Sequence, residues 1–254
     1  MILLLGGTKD ARELVAAINA AFPRTMIVAT AVSSYGADLL RQQGGCVVLQ
    51  GAMDSIALTG FIREKEVRAV VDATHPYAEQ VTAEANRAAA ETGVTYLRYE
   101  RPPANIPAGE GVYYVSDFTA AAQSAARLAR VIFLTIGSRR LQEFLLALPP
   151  GKKVVARVLP EEESIRQCRE LGLSPAEIVA LQGPISQALN AALFTAYGAG
   201  AVVAKDSGES GGTTEKVAAA KACKIPIILV RRPFFRPGYS SFQQIISALK
   251  KLQV

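Results

Sequence analysis

The chain has 254 residues, 50% of them hydrophobic and 20% charged, with a formal net charge of +6 at pH 7, which excludes a disordered or fibrous protein and allows one large domain or two small ones. Three scattered cysteines, Cys46, Cys168 and Cys223, in no CxxC spacing, and a single histidine argue against a disulfide framework and against a zinc or other transition-metal site, so no metal is assigned. No apolar run approaches the roughly eighteen residues of a membrane span.

The opening "MILLLGG" has no basic leader and reads as a buried first strand, Ile2–Leu5, rather than a signal peptide, so a reduced cytoplasmic protein is expected. Gly6, Gly7 and Thr8 follow, before a helix from about Asp10 to Ala21. Glycines between strand and helix let backbone approach a phosphate, and Thr8 can donate a hydroxyl or cap the helix. A tight turn that needs small residues has the same composition. The next strand, Met26–Ala31, runs into "IVATAVSSYG". An NAD site usually offers a carboxylate there; Thr30, Ser33 and Ser34 instead tolerate a 2′-phosphate, with Arg41 nearby, so a dinucleotide would be NADPH. An ordinary Ser-rich helix cap is the alternative.

A helix over Gly36–Gln43, a strand over Cys46–Leu49, a helix over Ser55–Glu64 and a strand over Arg68–Val71 lead to "VVDATHPYAE". Asp72, Ala73 and Thr74 stand at a strand tip, where α/β sites lie, and Asp72 or Thr74 could cap free N–H groups. His75-Pro76 turns the chain into a helix over about Ala78–Thr92, with proline suited to the helix start. His75, beside Asp72, Thr74 and Tyr77, reads as ligand-facing; a structural histidine is the bland alternative. A strand over Thr95–Arg98 closes this half.

Arg101–Val112 is rich in Pro and Gly and reads as a linker, dividing the chain at 1–104 and 105–254. Strands recur near Val112–Val115, Val131–Ile136, Lys153–Val158, Glu177–Leu181, Ala201–Ala204 and Ile225–Val230, with helices between them such as Ser186–Tyr197 and Thr214–Cys223. This alternation predicts an α/β fold of two Rossmann-like lobes, parallel sheets flanked by helices, with a cleft between them. From position 130 onward there are 17 Lys and Arg against 9 Asp and Glu, so the second half suits an anionic ligand, unless the charges only solvate a surface. Within it, "VVAKDSGESGGTTEKV" offers Lys205, Asp206, Ser207 and Gly208 in a loop suited to carboxylate or phosphate, though it is no Walker A sequence. A polar loop without a ligand reads the same. In "ILVRRPFFRPGY", Arg231, Arg232 and Arg236 stand among Phe234, Phe235 and Tyr239, a set that could hold a flat carboxylated ring or simply pack into the core.

Together, "GGT.DAREL", "VDATHPYA", "Y.RPP", "AKDSG...GG...EK" and "IP...VRRP", in this order over nearly the whole chain, resemble the precorrin-6A reductases of cobalamin biosynthesis. "DATHPYA" is the most specific of these stretches. The resemblance implies two α/β lobes and NADPH-dependent reduction of one double bond of precorrin-6A, or its cobalt-containing form, to precorrin-6B. It implies a tetrapyrrole as the partner, with Gly6, Gly7 and Thr8 near the cofactor and Ser33 and Ser34 near its ribose phosphate. Asp72 to Tyr77 would line the meeting point of nicotinamide and ring, with His75 and Tyr77 the candidates for proton delivery, and Lys205 to Gly208 and Arg231 would face the ligands from the other lobe. A monomer or small homo-oligomer without membrane or nucleic-acid partners is expected. Two other classes are weighed. Another NADP-dependent reductase lacks support from any Tyr-x-x-x-Lys pair, and a basic nucleic-acid module lacks any recognition motif. A methyltransferase lacks a DxGxG-like strand tip.

Overall fold

The structure is a computed structural model describing residues 1–109, 111–233 and 238–253. The chain separates into two compact units, Met1–Pro102 together with Pro233–Val254, and Pro103–Arg232. The first crossing falls in the expected Pro-rich stretch. The second was not expected: the described residues from 238 onward belong with the first unit rather than with a domain running from 105 to 254.

In the first unit, β1 (Ile2–Leu5), β2 (Ile27–Ala31), β3 (Val47–Gln50), β4 (Ala69–Asp72) and β5 (Thr95–Arg98) form a parallel sheet in the order β3-β2-β1-β4-β5. This is the start of the Rossmann order. Helices α1 (Lys9–Ala21), α2 (Ser34–Gln43), α3 (Ser55–Glu64) and α4 (Glu79–Thr92) connect the strands. Successive residues of β1 serve opposite faces. Ile2 and Leu4 pack with Leu14, Val15 and Ile18 of α1, while Leu3 and Leu5 pack with Leu58 and Ile62 of α3 and with Ala85 and Ala88 of α4. Covering both faces is why the strand is apolar without alternation.

In the second unit, β6 (Val112–Val115), β7 (Val131–Thr135), β8 (Lys153–Val158), β9 (Ile178–Ala180), β10 (Ala201–Lys205) and β11 (Ile227–Val230) form a parallel sheet in the order β6-β11-β10-β7-β8-β9. Helices α5 (Phe118–Leu128), α6 (Leu141–Leu146), α7 (Glu162–Glu170), α8 (Gln187–Ala196) and α9 (Thr213–Ala222) lie between them. Phe133 of β7 meets Phe194 of α8 edge-on, ring centroids 5.2 Å apart, in its core.

The last helix, α10 (Phe242–Lys251), starts at a Ser241–Gln244 capping box. Its Ile245 and Leu249, four residues apart on one face and both fully buried, join the α1 side of the first sheet. That apolar stripe explains why the chain returns to the first unit.

Connections reverse direction between β1 and β4 in one sheet and between β7 and β10 in the other. Loops leaving the carboxyl ends of two such strands run apart, and ligands of open α/β sheets bind in the crevice this leaves. Among the described residues no helix is long and apolar enough to cross a membrane.

Candidate active site

At the β1–β4 reversal the backbone is bared. Gly6 has φ +133°, and a Cβ there would sit 2.7 Å from the Ala73 carbonyl oxygen, so only glycine fits. Its N–H donates to the Thr30 carbonyl at 2.9 Å. A Cβ on Gly7 would come within 3.0 Å of both Ala31 Cβ and Gly36 Cα, which brings the turns after β1 and β2 side by side. Thr8 caps α1, its Oγ1 accepting from Ala11 N and donating to Ala73 O, each at 3.1 Å. Ser33 caps α2 by accepting from Gly36 N at 3.0 Å, and Ser34 is exposed. Two helix N-termini with uncharged caps thus face one opening, an arrangement suited to phosphates. Thr30 is buried and contributes its carbonyl rather than its hydroxyl to this turn. Arg41 lies in the last turn of α2, exposed and paired with Asp38 at 2.7 Å.

The structure corrects the expectation for Asp72. Its side chain is fully enclosed, and among the described residues the donors around it come from within the first unit. Oδ2 accepts from Tyr96 Oη at 2.6 Å, Arg98 Nη1 at 2.6 Å and Thr82 Oγ1 at 2.9 Å; Oδ1 accepts from Thr74 N at 2.9 Å. Arg98 Nη1 also reaches Thr82 Oγ1 at 2.7 Å. Burial first, then the Asp72 charge, raises the Tyr96 hydroxyl above its ordinary value, keeping it a donor. Asp72 therefore ties the β4 tip to β5 and α4 and is not available to a cofactor. Ala73 is likewise buried and contributes its carbonyl to the glycine turn, while Thr74 is half-buried.

Beyond this anchor, the His75 carbonyl accepts from Ala78 N at 2.8 Å. Pro76 therefore occupies the second position of a four-residue turn, and α4 starts three residues later than the proline rather than on it. His75 Nδ1 accepts from Tyr77 N at 3.3 Å, which places the proton of the neutral ring on Nε2. His75 is half-buried, whereas Tyr77 is 7% exposed, its ring centroid 5.7 Å from that of His75. That burial favours His75 over Tyr77 for proton delivery.

At the β7–β10 reversal of the second unit, the half-buried Lys205 ends β10. Burial, then Arg140 and Arg139 from the loop after β7, bring its ammonium down to about 8. Lys205 and Arg140 each lie 5.8 Å from the Phe118 ring centroid. The next residues turn inward. Asp206 accepts from Ala104 N at 3.3 Å and Gly208 N at 3.4 Å, and Asp206, Ser207 and Gly208 are all buried. This corrects the expectation that the Asp206 and Ser207 side chains face a ligand: the Asp206 carboxylate braces the loop, and Ser207 is buried, its backbone N–H donating to Thr213 Oγ1 at 3.0 Å. Arg231 is exposed, its guanidinium 4.8 Å from the Tyr114 ring centroid, and Arg232 Nε holds the Asp206 carbonyl at 2.7 Å. Phe234, Phe235 and Arg236 lie outside the described residues. Tyr239 packs on the core of the first unit, bridging to Tyr99.

Several residues escaped the sequence reading. Tyr96 and Arg98, two apart on β5, carried a usable signal, since alternate polar residues on a buried strand need partners. Arg139 and Arg140 stand in "IGSRRL" at a strand tip. Asp10 and Arg101, a buried pair at 2.7 Å, and Lys216 stand in the quoted stretches "GGT.DAREL", "Y.RPP" and "AKDSG...GG...EK" with no role read from them, and Arg157 stands in none. Among the described residues no group of three His, Cys, Asp or Glu is placed to hold a metal.

Residues 1–253 match the family described as Precorrin-6x reductase CbiJ/CobK. A cobalt-precorrin-6A reductase of Methanothermobacter thermautotrophicus is 40% identical over 235 residues, covering 91% of this chain and 76% of that protein. Another, from Priestia megaterium, is 39% identical over 253 residues, 98% of each chain. A solved structure of CobK precorrin-6A reductase aligns with a TM-score of 0.74 at 26% identity, covering 99% of this chain and 96% of that one.

Proposed function

Because the chain belongs to the precorrin-6x reductase CbiJ/CobK family, we propose that it uses NADPH to reduce one ring double bond of cobalt-precorrin-6A. The family activity, reduction of such a macrocycle in cobalamin biosynthesis, is common to the relatives and the solved structure. The observation that carries the cofactor half is the bared backbone at Gly6 and Gly7 beside two hydroxyl-capped helix starts, which fits a dinucleotide phosphate. The seryl turn after β2 offers no carboxylate to repel a 2′-phosphate, which supports NADPH over NADH.

When bound, the nicotinamide supplies the hydride. The residues of this chain bind, orient and neutralise. Gly6, Gly7, Thr8, Ser33 and Ser34 hold the cofactor in the first unit. Lys205 and Arg231 meet ring carboxylates in the second, where charge-assisted contacts fix the substrate's orientation. His75 presents Nε2–H and is the side chain assigned to protonation of the adjacent carbon; Tyr77 backs it. The two relatives at 40% and 39% identity are named for the cobalt-containing substrate, against 32% and 31% for two named for the metal-free one, which supports the cobalt form. The metal would arrive inside the substrate, so the protein need not ligate it. The reading also takes the protein to work in the cytoplasm, as a monomer or small homo-oligomer.

The test is anaerobic turnover with NADPH or NADH, offering cobalt-precorrin-6A and precorrin-6A in parallel. Loss of nicotinamide absorbance together with a change in the macrocycle spectrum, for the cobalt form and NADPH, is the expected result. Turnover of precorrin-6A alone would reassign the substrate, and turnover of neither would end this reading.

A further inference from the structure

Among the described residues, two cations of the second unit are buried without an ion pair. Lys216, on α9, is 5% exposed, and its Nζ donates to the Gly211 carbonyl at 2.8 Å. Arg157, at the end of β8, is 8% exposed, and its Nη1 donates to Asn190 Oδ1 at 3.0 Å. Asn190 Nδ2 passes this on to the Ile185 and Ser186 carbonyls at 3.1 and 2.9 Å. Lys216 grips the loop after β10 through a carbonyl, and Arg157 reaches the Ile185–Ser186 turn through Asn190 of α8. The two loops touch: a Cβ on Gly212 would lie 2.9 Å from Pro184 Cβ.

Burying a cation without a counter-charge is costly, so such groups mark places where the missing charge arrives from outside. The loop that Lys216 grips is the one that follows Lys205, and Thr213 knots it further by accepting from Ser207 N at 3.0 Å. We propose that Lys216 is a positioning residue for the anionic substrate: its ammonium holds the Gly208–Gly212 loop in its binding shape, and a substrate carboxylate at Lys205 adds negative charge beside two cations that Glu215 alone does not balance in the free protein. This rests on the assignment of the second unit to the carboxylated ring.

The groups facing Lys216 are Arg157 from β8, Lys205 from β10 and Glu215 from its own helix. Burial first, then the Arg157 charge, lowers its ammonium to about 7, with Glu215 opposing. An arriving carboxylate pushes the other way, so substrate binding takes up a proton above that pH. The ring carboxylates are ionised throughout this range and add no titration of their own.

The experiment measures KM and kcat for cobalt-precorrin-6A from pH 6 to 9 in the wild type, Lys216→Arg and Lys216→Met. The expected wild-type KM rises above about pH 7, by up to about tenfold per pH unit, while kcat follows a different profile. Lys216→Arg, always charged, keeps a low KM that stays flat between about pH 7 and 8 and rises only beyond that, where Lys205 loses its own proton. Lys216→Met has a KM raised about ten- to a hundredfold and flat up to about pH 8, where the Lys205 titration sets in, with kcat at saturation nearly kept. A KM rise that still starts near pH 7 in Lys216→Met, or in Lys216→Arg, would overturn the inference and leave the reductase reading standing. Failure of the wild type to turn the substrate over would remove that reading and the inference with it.

Discussion

Arg98 donates to Asp72 at 2.6 Å across the β4–β5 register, with Asp72 fully enclosed and Arg98 5% exposed. Removing one member of a buried pair leaves the other charge uncompensated, at a cost of about 3–5 kcal/mol. Arg98→Met should therefore destabilise by that amount, seen as a lower denaturant midpoint. It should also loosen the Thr74–Tyr77 turn that Asp72 anchors. A loss below about 1 kcal/mol would show that Tyr96, Thr82 and the Thr74 amide satisfy Asp72 alone.

Gly6→Ala meets both an unfavourable φ and the Ala73 carbonyl. The β1 and β4 tips must then separate, and NADPH affinity should fall about tenfold or more while the substrate-side unit keeps its fold. Titrating NADPH fluorescence checks this; an unchanged dissociation constant would place the cofactor elsewhere.

Ser34 is the exposed hydroxyl of the seryl turn, whereas Ser33 is engaged as the α2 cap. Ser34→Asp adds a charge where the ribose 2′-phosphate is assigned. Its KM for NADPH should rise about tenfold with little change for NADH. Equal effects on both cofactors would mean that no 2′-phosphate lies there.

His75→Ala should lower kcat by about a hundredfold, as loss of a proton donor does, with NADPH affinity changed less than about threefold. Stopped-flow hydride transfer and cofactor titration separate the two. Unchanged kcat would remove His75 from the chemistry and leave solvent as the proton source.

The ammonium of Lys216 sits at about 7 against 10.5 for a free lysine. Between these values the unfolded chain binds the proton and the folded one does not, so unfolding free energy rises with pH from about 7 to 10.5. The burial cost is fully present below about pH 7 and gone above 10.5. Lys216→Met removes this term, and its thermal stability should gain on the wild type near pH 7 and lose that advantage toward pH 10. Parallel stability curves for the two proteins would contradict the assignment of Lys216 as a buried, unneutralised cation.

The alternation of apolar runs with amphipathic segments determined both parallel sheets, because strands covered on two faces must be apolar throughout. Turn chemistry was equally local: Gly6 needs positive φ, and Thr8 and Ser33 cap the helices that follow them. The motif from Asp72 to Tyr77 was legible as a strand tip, and its site character was legible in the company His75 keeps. The use made of Asp72 was not, since its partners Thr82, Tyr96 and Arg98 arrive from α4 and β5 and only strand register sets them against it. Register and helix docking likewise decided that Lys216 and Arg157 share one loop pair, although 59 positions separate them in the chain. The return of α10 to the first unit was decided by which sheet face remained to cover Ile245 and Leu249, a property of the assembled core that no stretch of sequence contains.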